Sequence, residues 1–250
     1  MLLNFIFSLL LSVGVPNISG ASSASTTNYL SVKKGYVMSY NGVEGRANWV
    51  GWTLNASDVG AVDRTNRFIQ DESFPRGFKI VDEKDYNHSG YDRGHLCNSE
   101  DRTSSYYLNE ETFLMSNMIP QTPELNRGPF KMLEEYCRKL AIKKGQHLLI
   151  YSGGIGAKDR LFSGVIVPAY CWKVVYTPDK IWCILFPNER VLNKNWQTYA
   201  VPLETLEKMF ELQKRFEYEE EVRTILSPAA VLHSMTVNGS EELKENLLVM

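Results

Sequence analysis

The sequence predicts one α+β domain in which a central antiparallel sheet is flanked by helices. Its 250 residues suffice for a single domain with a full-sized core, and 44% of them are hydrophobic, as in an ordinary globular protein. Several tracts alternate apolar and polar residues or run continuously apolar, which is typical of strands. Two further tracts carry apolar residues at helical spacing, so we expect helices packed on a sheet.

The first half of the chain predicts a hairpin followed by a long loop. Residues 25–34 are polar and are expected to lead into the domain. Residues 35–54 alternate apolar and polar side chains and turn at Asn41-Gly42, a pair that favours a tight β-turn. Residues 59–91 are rich in Gly, Pro, Asp and Asn and predict a long loop, which in compact domains is usually functional.

The second half predicts helices and further strands. Residues 111–117 fit either a short strand or a helical turn. Residues 129–144 have helical spacing, with Pro129 near the first turn and Gly145 as a stop. Three β-rich runs follow, at residues 147–153, 165–177 and 180–187. A last helix is expected over 203–221, where acidic residues face away from any substrate.

The N-terminus predicts export. Residues 2–15 are strongly apolar, a helix-breaking Pro16 follows, and residues 21–25 are small, which is the order of a secretory signal. An uncleaved anchor is the alternative, but the apolar stretch is short for a span of about 20 residues. The predicted divisions are a signal peptide over 1–24, a domain over 25–218 and a C-terminal tail over 219–250. We therefore expect a secreted or periplasmic protein without stable membrane association after cleavage.

The four cysteines permit two interpretations. Export would place them in an oxidising compartment, where two disulfides with three alternative pairings are allowed. Four buried free thiols are the alternative, since free cysteine is commonly buried. Spacing does not choose between these interpretations for Cys97, Cys137, Cys171 and Cys183.

Overall charge excludes a general attraction to nucleic acid. The formal net charge is −2, so a nucleic-acid partner would have to be bound through local charge. Basic residues cluster on and beside the predicted helix: Arg127, Lys131, Arg138, Lys139, Lys143 and Lys144. An ordinary solvated helix face explains this cluster equally well.

The candidate catalytic residue is His95, within the segment Tyr91-Asp92-Arg93-Gly94-His95. Histidine suits general-base chemistry near neutral pH because its ordinary pKa is about 6.5. Gly94 is expected to permit a backbone conformation that other residues resist. We expect surface or structural positions for the remaining histidines, His88, His147 and His233.

Two oxygen-bearing side chains follow at a spacing that suits a metal. Asn126 lies just before the predicted helix, and Glu134 lies eight residues later on its second turn. Carboxamide and carboxylate oxygens suit Mg²⁺, which usually keeps several waters. On spacing alone, however, a helix N-cap is the favoured interpretation of Asn126.

These segments together resemble the non-specific DNA/RNA endonuclease family, which includes mitochondrial endonuclease G and secreted bacterial nucleases. The resemblance runs from about residue 48 to residue 206, in the family's order and near its spacing. The matching motifs are NWVGW at 48–52, DR at 63–64, YDRGH at 91–95, SEDRT at 99–103, FLMSN at 113–117, PQ at 120–121, LN at 125–126, LEEYCR at 133–138 and WKVV at 172–175.

The resemblance implies a ββα-metal nuclease core and assigns its chemistry. His95 would be the general base, and Asn126 would be the direct protein ligand of Mg²⁺, for which Mn²⁺ would substitute. Glu134 would hold a metal-bound water, and Arg64 would stabilise the phosphate. The substrates would be DNA and RNA, cleaved to 5′-phosphate products with little sequence specificity because the chemistry addresses the backbone.

The resemblance also implies two supporting residues, and the sequence departs from the family pattern at two places. Arg93 and Asn117 would support the site. Two departures stand out: Phe130 where the family usually has Trp, and Cys97-Asn98 where a small or Pro-containing pair is usual. An inhibitor protein as partner, the oligomeric state and the preference for DNA or RNA all stay open.

Two other functions compete with this interpretation. A catalytically dead nucleic-acid-binding relative would not need to keep Arg64, His95, Asn126 and Glu134 together. A zinc-centred hydrolase would need ligands from His88, His95 and Cys97, whose spacing is not a usual zinc signature.

Overall fold

A seven-stranded antiparallel sheet forms the centre of the computed structural model, which describes residues 21–218. The strands are β1 (Tyr29–Val32), β2 (Val37–Asn41), β3 (Arg46–Leu54), β4 (Asp92–His95), β5 (Met118–Gln121), β6 (Leu148–Ile155), β7 (Asp159–Arg160), β8 (Ile166–Val167), β9 (Tyr170–Tyr176), β10 (Ile181–Pro187) and β11 (Ala200–Val201). In the large sheet the strand order is β1-β2-β3-β6-β9-β10-β11. The pairs β4-β5 and β7-β8 form two small sheets of their own.

The helices lie between and after these strands. The α-helices are α1 (Tyr106–Glu111), α2 (Pro123–Leu125), α3 (Lys131–Lys144) and α4 (Leu203–Tyr218), with a π-helical turn, Asn126–Phe130, joining α2 to α3. Short 3₁₀ helices occur at Ala56–Asp58, Glu83–Tyr86, Ser99–Arg102, Met115–Asn117 and Trp196–Tyr199.

Both faces of the large sheet are covered, which explains the continuously apolar runs. Along β6, Ile150 faces a core that includes α3, and the next residue, Tyr151, faces a second core that includes α4. In β9, Val174 and Val175 divide between the two cores in the same way. Each such buried aliphatic side chain stabilises the fold by about 1.5–3 kcal/mol.

The two-stranded sheet β4-β5 and the helical segment after it form a ββα unit. His95 pairs with Met118 at one end of this sheet, and Asp92 pairs with Gln121 at the other. Gly94 is required by close approach rather than by an unusual backbone conformation, because a Cβ there would lie 2.2 Å from Gln121 Oε1. The predicted α+β class with a ββα core is confirmed.

Most predicted elements are confirmed, with four corrections. The hairpin forms as β2 and β3, but Asn41 pairs with Arg46, so the turn spans four residues, 42–45, instead of lying at Asn41-Gly42. Gly145 ends α3 as predicted, in the left-handed conformation with φ 63°. Residues 25–34 are not merely a polar lead-in, because they contain edge strand β1. The run 165–177 is two strands, since Pro168 and Ala169 separate β8 from β9. The helix expected from Pro129 begins at Lys131, after the π turn.

The ends of the chain lie outside the described residues. Most of the predicted signal peptide, the three glutamates expected to close the last helix and the predicted tail over 219–250 all lie there. Within 21–218, no helix is long and apolar enough to cross a membrane. All four cysteines are buried free thiols, as in the second interpretation of the sequence.

Candidate active site

His95 ends β4 and lies almost entirely inside the protein. Its side chain packs against two aromatic rings, with centroid distances of 4.8 Å to Phe113 and 5.8 Å to Phe68. Its Nε2 atom is buried and has no hydrogen-bond partner among the described residues. An unpartnered buried nitrogen is costly unless a function requires it.

The surroundings of His95 favour its neutral form. Burial holds its pKa well below the ordinary value of 6.5, and the positive charges of Arg64, Lys173 and Arg93 lower it further. A neutral imidazole with one unpartnered nitrogen can accept a proton, which is what a general base requires.

Asn126 lies inside the π turn, so its interpretation as a helix N-cap is wrong. The cap is Thr122, whose side chain accepts a hydrogen bond from the Leu125 amide. The Asn126 Nδ2 atom instead donates to Asp92 Oδ2 over 2.9 Å. Arg127 fixes the same carboxylate with two hydrogen bonds of 2.7 and 2.8 Å. This arrangement turns the amide nitrogen towards Asp92 and leaves the amide oxygen for a ligand.

Glu134 is buried on α3, in contact with the segment that follows His95. Its Oε1 atom lies 3.2 Å from Lys173 Nζ, and its Oε2 atom accepts a hydrogen bond from Asn98. Burial raises the pKa of this carboxyl, and the charge of Lys173 opposes that rise. Asn98 also caps the 3₁₀ helix Ser99–Arg102 by accepting from the Glu100 amide, which explains one departure from the family pattern.

Lys173 is a functional candidate that the sequence analysis missed. Its side chain is 1% exposed, and its ammonium group donates to the carbonyl of Leu96 over 3.1 Å, directly after His95. The same ammonium lies 4.3 Å from the Phe130 ring centroid and 4.9 Å from that of Trp52. The sequence could have indicated Lys173, because it is a charged residue within the otherwise apolar run of β9. A charge in the protein interior needs a partner.

The remaining predicted residues take different positions around this centre. Arg64 is exposed at the site, stacks on Phe113 at 5.0 Å and donates to Ser99 Oγ over 3.1 Å. Asn117 is fully buried and bonds both the amide and the carbonyl of Cys97 over 2.9 Å. Asn117 therefore holds the chain beyond His95 in place and acts as a support.

Arg93 contacts the site from the next position on the same face of β4. Its guanidinium lies 4.2 Å from the centroid of Phe68, the ring that also packs against His95. Its Nη1 atom lies 3.5 Å from Glu83 Oε2. These contacts hold the Arg93 guanidinium beside Phe68, and its positive charge contributes to the lowered pKa of His95.

The described residues offer no set of ligands for the zinc site that the alternative interpretation requires. Over the described range, no three or more His, Cys, Asp and Glu side chains are grouped so that they could hold a metal ion. Cys97 is fully buried, and burial raises the pKa of its thiol to about 12. His88 lies in an exposed turn.

Comparison with known proteins decides the family. A family model described as DNA/RNA non-specific endonuclease matches residues 16–225. A nuclease of Nostoc sp. is 40% identical over 209 residues, which are 77% of this chain and 76% of the relative. The chain belongs to the DNA/RNA non-specific endonuclease family. This match extends beyond residues 48–206, where the motifs were recognised.

Two further relatives align with this endonuclease over a smaller share of their own length, and one solved structure has a similar fold. A nuclease of Syncephalastrum racemosum is 31% identical over 70% of this chain and 64% of the relative. The mitochondrial nuclease EXOG of Xenopus laevis is 30% identical over 70% of this chain and 54% of the relative. A chain in the crystal structure of an EndoG/EndoGI complex has a TM-score of 0.64 at 27% identity, covering 72% of this chain and 82% of that one.

The basic cluster on and beside α3 of this endonuclease is smaller than the sequence suggested. Arg138 is buried and paired with Asp101 and Glu100 at 2.9 and 2.6 Å. Lys131 pairs with Glu135 at 3.8 Å, and Arg127 is bound to Asp92. The exposed charges without such a pairing are Lys139, Lys143 and Lys144, near the far end of α3. Three of the six basic residues of the predicted cluster are therefore engaged in ion pairs.

Proposed function

We propose that this protein is an exported, Mg²⁺-dependent endonuclease that hydrolyses DNA and RNA to 5′-phosphate products. Family membership supports non-specific nuclease activity. The observation that carries the finer proposal is the buried, unpartnered Nε2 atom of His95. It lies in the same ββα unit as Asn126, whose amide is oriented by Asp92.

His95 is the general base in this proposal. Its neutral imidazole takes a proton from the attacking water at Nε2, the nitrogen without a protein partner. Phe68 and Phe113 fix the ring and keep bulk water away from it. Asn117 and Lys173 hold the backbone just after His95, so the imidazole is positioned before substrate arrives.

The residues present fit a hard divalent cation with few protein ligands. Asn126 would hold Mg²⁺ or Mn²⁺ through its amide oxygen, and Glu134 would hold one of the waters on the cation. When bound, the cation would neutralise charge on the phosphate and assist the leaving oxygen. Asp92 orients Asn126 through its amide nitrogen, and Lys173 and Asn98 orient Glu134.

Arg64 completes the charge neutralisation. Its exposed guanidinium is held by stacking on Phe113 and by Ser99, so it is directed before substrate binds. A fixed cation of this kind stabilises negative charge that develops on the phosphate oxygens. None of these groups is assigned to a base edge or to a 2′-hydroxyl, so cleavage of both DNA and RNA follows.

Export and regulation by an inhibitor are further parts of the proposal. The apolar N-terminal segment supports secretion or a periplasmic location. The solved structure of EndoG with EndoGI concerns inhibition of that relative, and it supports a proteinaceous inhibitor as a partner here.

Cleavage of matched DNA and RNA oligonucleotides tests the proposed reaction. We expect both to be cut at many positions with Mg²⁺, to give 5′-phosphate ends, and to stay intact in EDTA. Activity below saturation should fall with salt because contact is mainly to phosphates. Products with 3′-phosphates, cuts at one sequence motif or undiminished cleavage in EDTA would each contradict the proposal. Binding without any cleavage would instead identify a catalytically dead relative.

A further inference from the structure

A cavity of about 410 Å³ lies at the start of β4, the strand that ends at His95, and none of the candidate site residues lines it. Tyr91, the residue immediately before β4, is part of its lining. The volume falls within the range of small-ligand sites. Aromatic, basic and acidic side chains share the lining, and the ones that matter here are Lys84, His88, Tyr91, Asp159, Arg160 and Phe162.

The cavity is joined to His95 by a short series of contacts. Alternation along β4 places Arg93 and His95 on one face, and Phe68 contacts both of them, at 4.2 and 5.8 Å. Arg93 in turn lies 3.5 Å from Glu83, the residue before Lys84. At about 3.3 Å per residue, Tyr91 lies roughly 13 Å along the chain from His95. A polynucleotide strand crossing His95 can therefore reach the cavity.

Two aromatic rings give this cavity a surface on which a base can stack. Phe162 is fully exposed, at 109% of its reference area, on the turn between β7 and β8. Tyr91 is half-buried, and its hydroxyl is fixed by donation to Asp159 over 3.4 Å. Every nucleobase offers a face for stacking, so such a surface binds bases without selecting a sequence.

The rest of the lining suits a phosphate next to that base. Lys84 and Arg160 bring two positive charges to the cavity, which the carboxylates of Asp85 and Asp159 also line. The Asp159 carboxylate accepts a hydrogen bond from the Tyr91 hydroxyl, and phosphates are bound chiefly by positive charges such as those of Lys84 and Arg160. The loop that leads from Lys84 to β4 contains a tight turn, since His88 has φ 55° and Gly90 has φ 76°. A non-glycine residue at positive φ is uncommon, and such conformations concentrate at binding sites.

We propose that this cavity is a subsite for a nucleotide that flanks the scissile phosphate. The base stacks on Phe162 and Tyr91, and its phosphate contacts Lys84 and Arg160. This inference rests on the proposed nuclease function. It adds a dependence on substrate length, because only a strand that extends past the active site can fill the cavity.

Kinetics on a long and a minimal substrate test the subsite. The long substrate is a single-stranded oligonucleotide of mixed sequence, and the minimal one is thymidine bis(para-nitrophenyl phosphate), which cannot reach the cavity. We expect Phe162→Leu to lower kcat/KM on the oligonucleotide about fivefold or more, the value of one stacked base, and to leave the minimal substrate within about twofold. Phe162→Trp should restore the oligonucleotide rate. Tyr91→Leu, which keeps an apolar side chain there, should act like Phe162→Leu.

A matched control is Tyr107→Leu, which removes an exposed aromatic ring outside the cavity and should leave both substrates unchanged. Equal losses on both substrates, or no loss with Phe162→Leu and Tyr91→Leu, would overturn the subsite. Fluorescence anisotropy of the labelled oligonucleotide in EDTA separates this result from failure of the proposed catalysis. Wild-type protein that binds but does not cleave contradicts the catalysis, whereas weaker binding by Phe162→Leu still supports the subsite.

Discussion

Lys173 Nζ lies 3.2 Å from Glu134 Oε1 in the interior of the protein, with both side chains almost fully buried. The same ammonium donates to the Leu96 carbonyl, so one lysine on the central sheet contacts both α3 and the residue that follows His95. A buried charge is stable only with such partners. Lys173, on β9, therefore holds His95 and Glu134 in position relative to each other.

Lys173→Met tests this positioning role. Removing the ammonium leaves Glu134 buried without a counter-charge, which should lower the free energy of unfolding by about 3–5 kcal/mol. We expect Mg²⁺ affinity, measured calorimetrically on the folded variant, to fall about 10- to 100-fold because the water-holding carboxylate loses its support. Lys173→Arg, which keeps the charge, should recover part of that affinity.

Lys33→Met is the matched control for Lys173→Met. Lys33 forms a comparable buried ion pair, 2.8 Å from Asp71, and also lies over an aromatic ring, that of Phe74 at 5.5 Å. Its loss should destabilise the protein yet leave Mg²⁺ affinity unchanged. If the two variants change Mg²⁺ affinity equally, Lys173 has only a general stabilising role.

Asn126→Ala tests the proposed metal ligand. We expect Mg²⁺ affinity and cleavage rate to fall together, with little change in thermal stability, because Asn126 is not the helix cap. Thr122→Ala supplies the contrast: loss of the true cap should cost about 1 kcal/mol of stability and leave the Mg²⁺ dependence intact. A lower Tm with unchanged Mg²⁺ dependence for Asn126→Ala would remove it as a ligand.

The pH dependence follows from the lowered pKa of His95. The native histidine stays neutral as pH falls below 6.5, so the acidic limb of the kcat/KM profile should lie below that value. The unfolded chain, in contrast, binds a proton there, so native stability is lost as pH falls through 6.5. Urea unfolding should show a smaller loss from neutral to mildly acidic pH for His95→Gln. An acidic limb above 6.5 would contradict this account.

The N-terminus of exported protein tests the predicted signal peptide. We expect mature chains to begin near Ser25, as measured by intact mass and N-terminal sequencing. Cleavage there would remove Ser22, whose backbone bonds Asn28 and Leu30 at 3.1 and 3.2 Å. A mature chain that begins before Ser22 would relocate the cleavage point. Chains that keep Met1 would argue for a tethered form.

Local patterns predicted the elements that depend on neighbouring residues. The spacing in 131–144 and the turn after Asn41 are visible in the sequence because helix and hairpin periodicity act over a few positions. Edge strand β1 was missed because its four residues, Tyr29–Val32, stand between polar neighbours and are too few to show a clear strand pattern. The π turn was missed because it depends on the backbone of Gly128, which departs from helical angles (φ −107°, ψ −119°).

The sequence predicted which residues form the candidate site, but it predicted only some of the contacts between them. His95 and Asn126 stand out through their motifs, and the structure places them in one ββα unit. Asp92 and Lys173 gained their roles only from the structure. Asp92 contacts Asn126 across 34 positions of sequence, and Lys173 reaches Leu96 across 77. No local pattern encodes such pairings, since they depend on how the sheet and the ββα unit pack together.

The most direct test of the central claim is the turnover number of His95→Ala on oligonucleotide DNA at saturating Mg²⁺. If His95 is the base, kcat should fall by about 10²–10⁴ while binding in EDTA stays nearly intact. Added imidazole should recover part of the rate, because it can enter the space left by the side chain and accept the proton. A variant that keeps more than about a tenth of wild-type turnover, without any response to imidazole, would contradict the assignment of His95 as the general base.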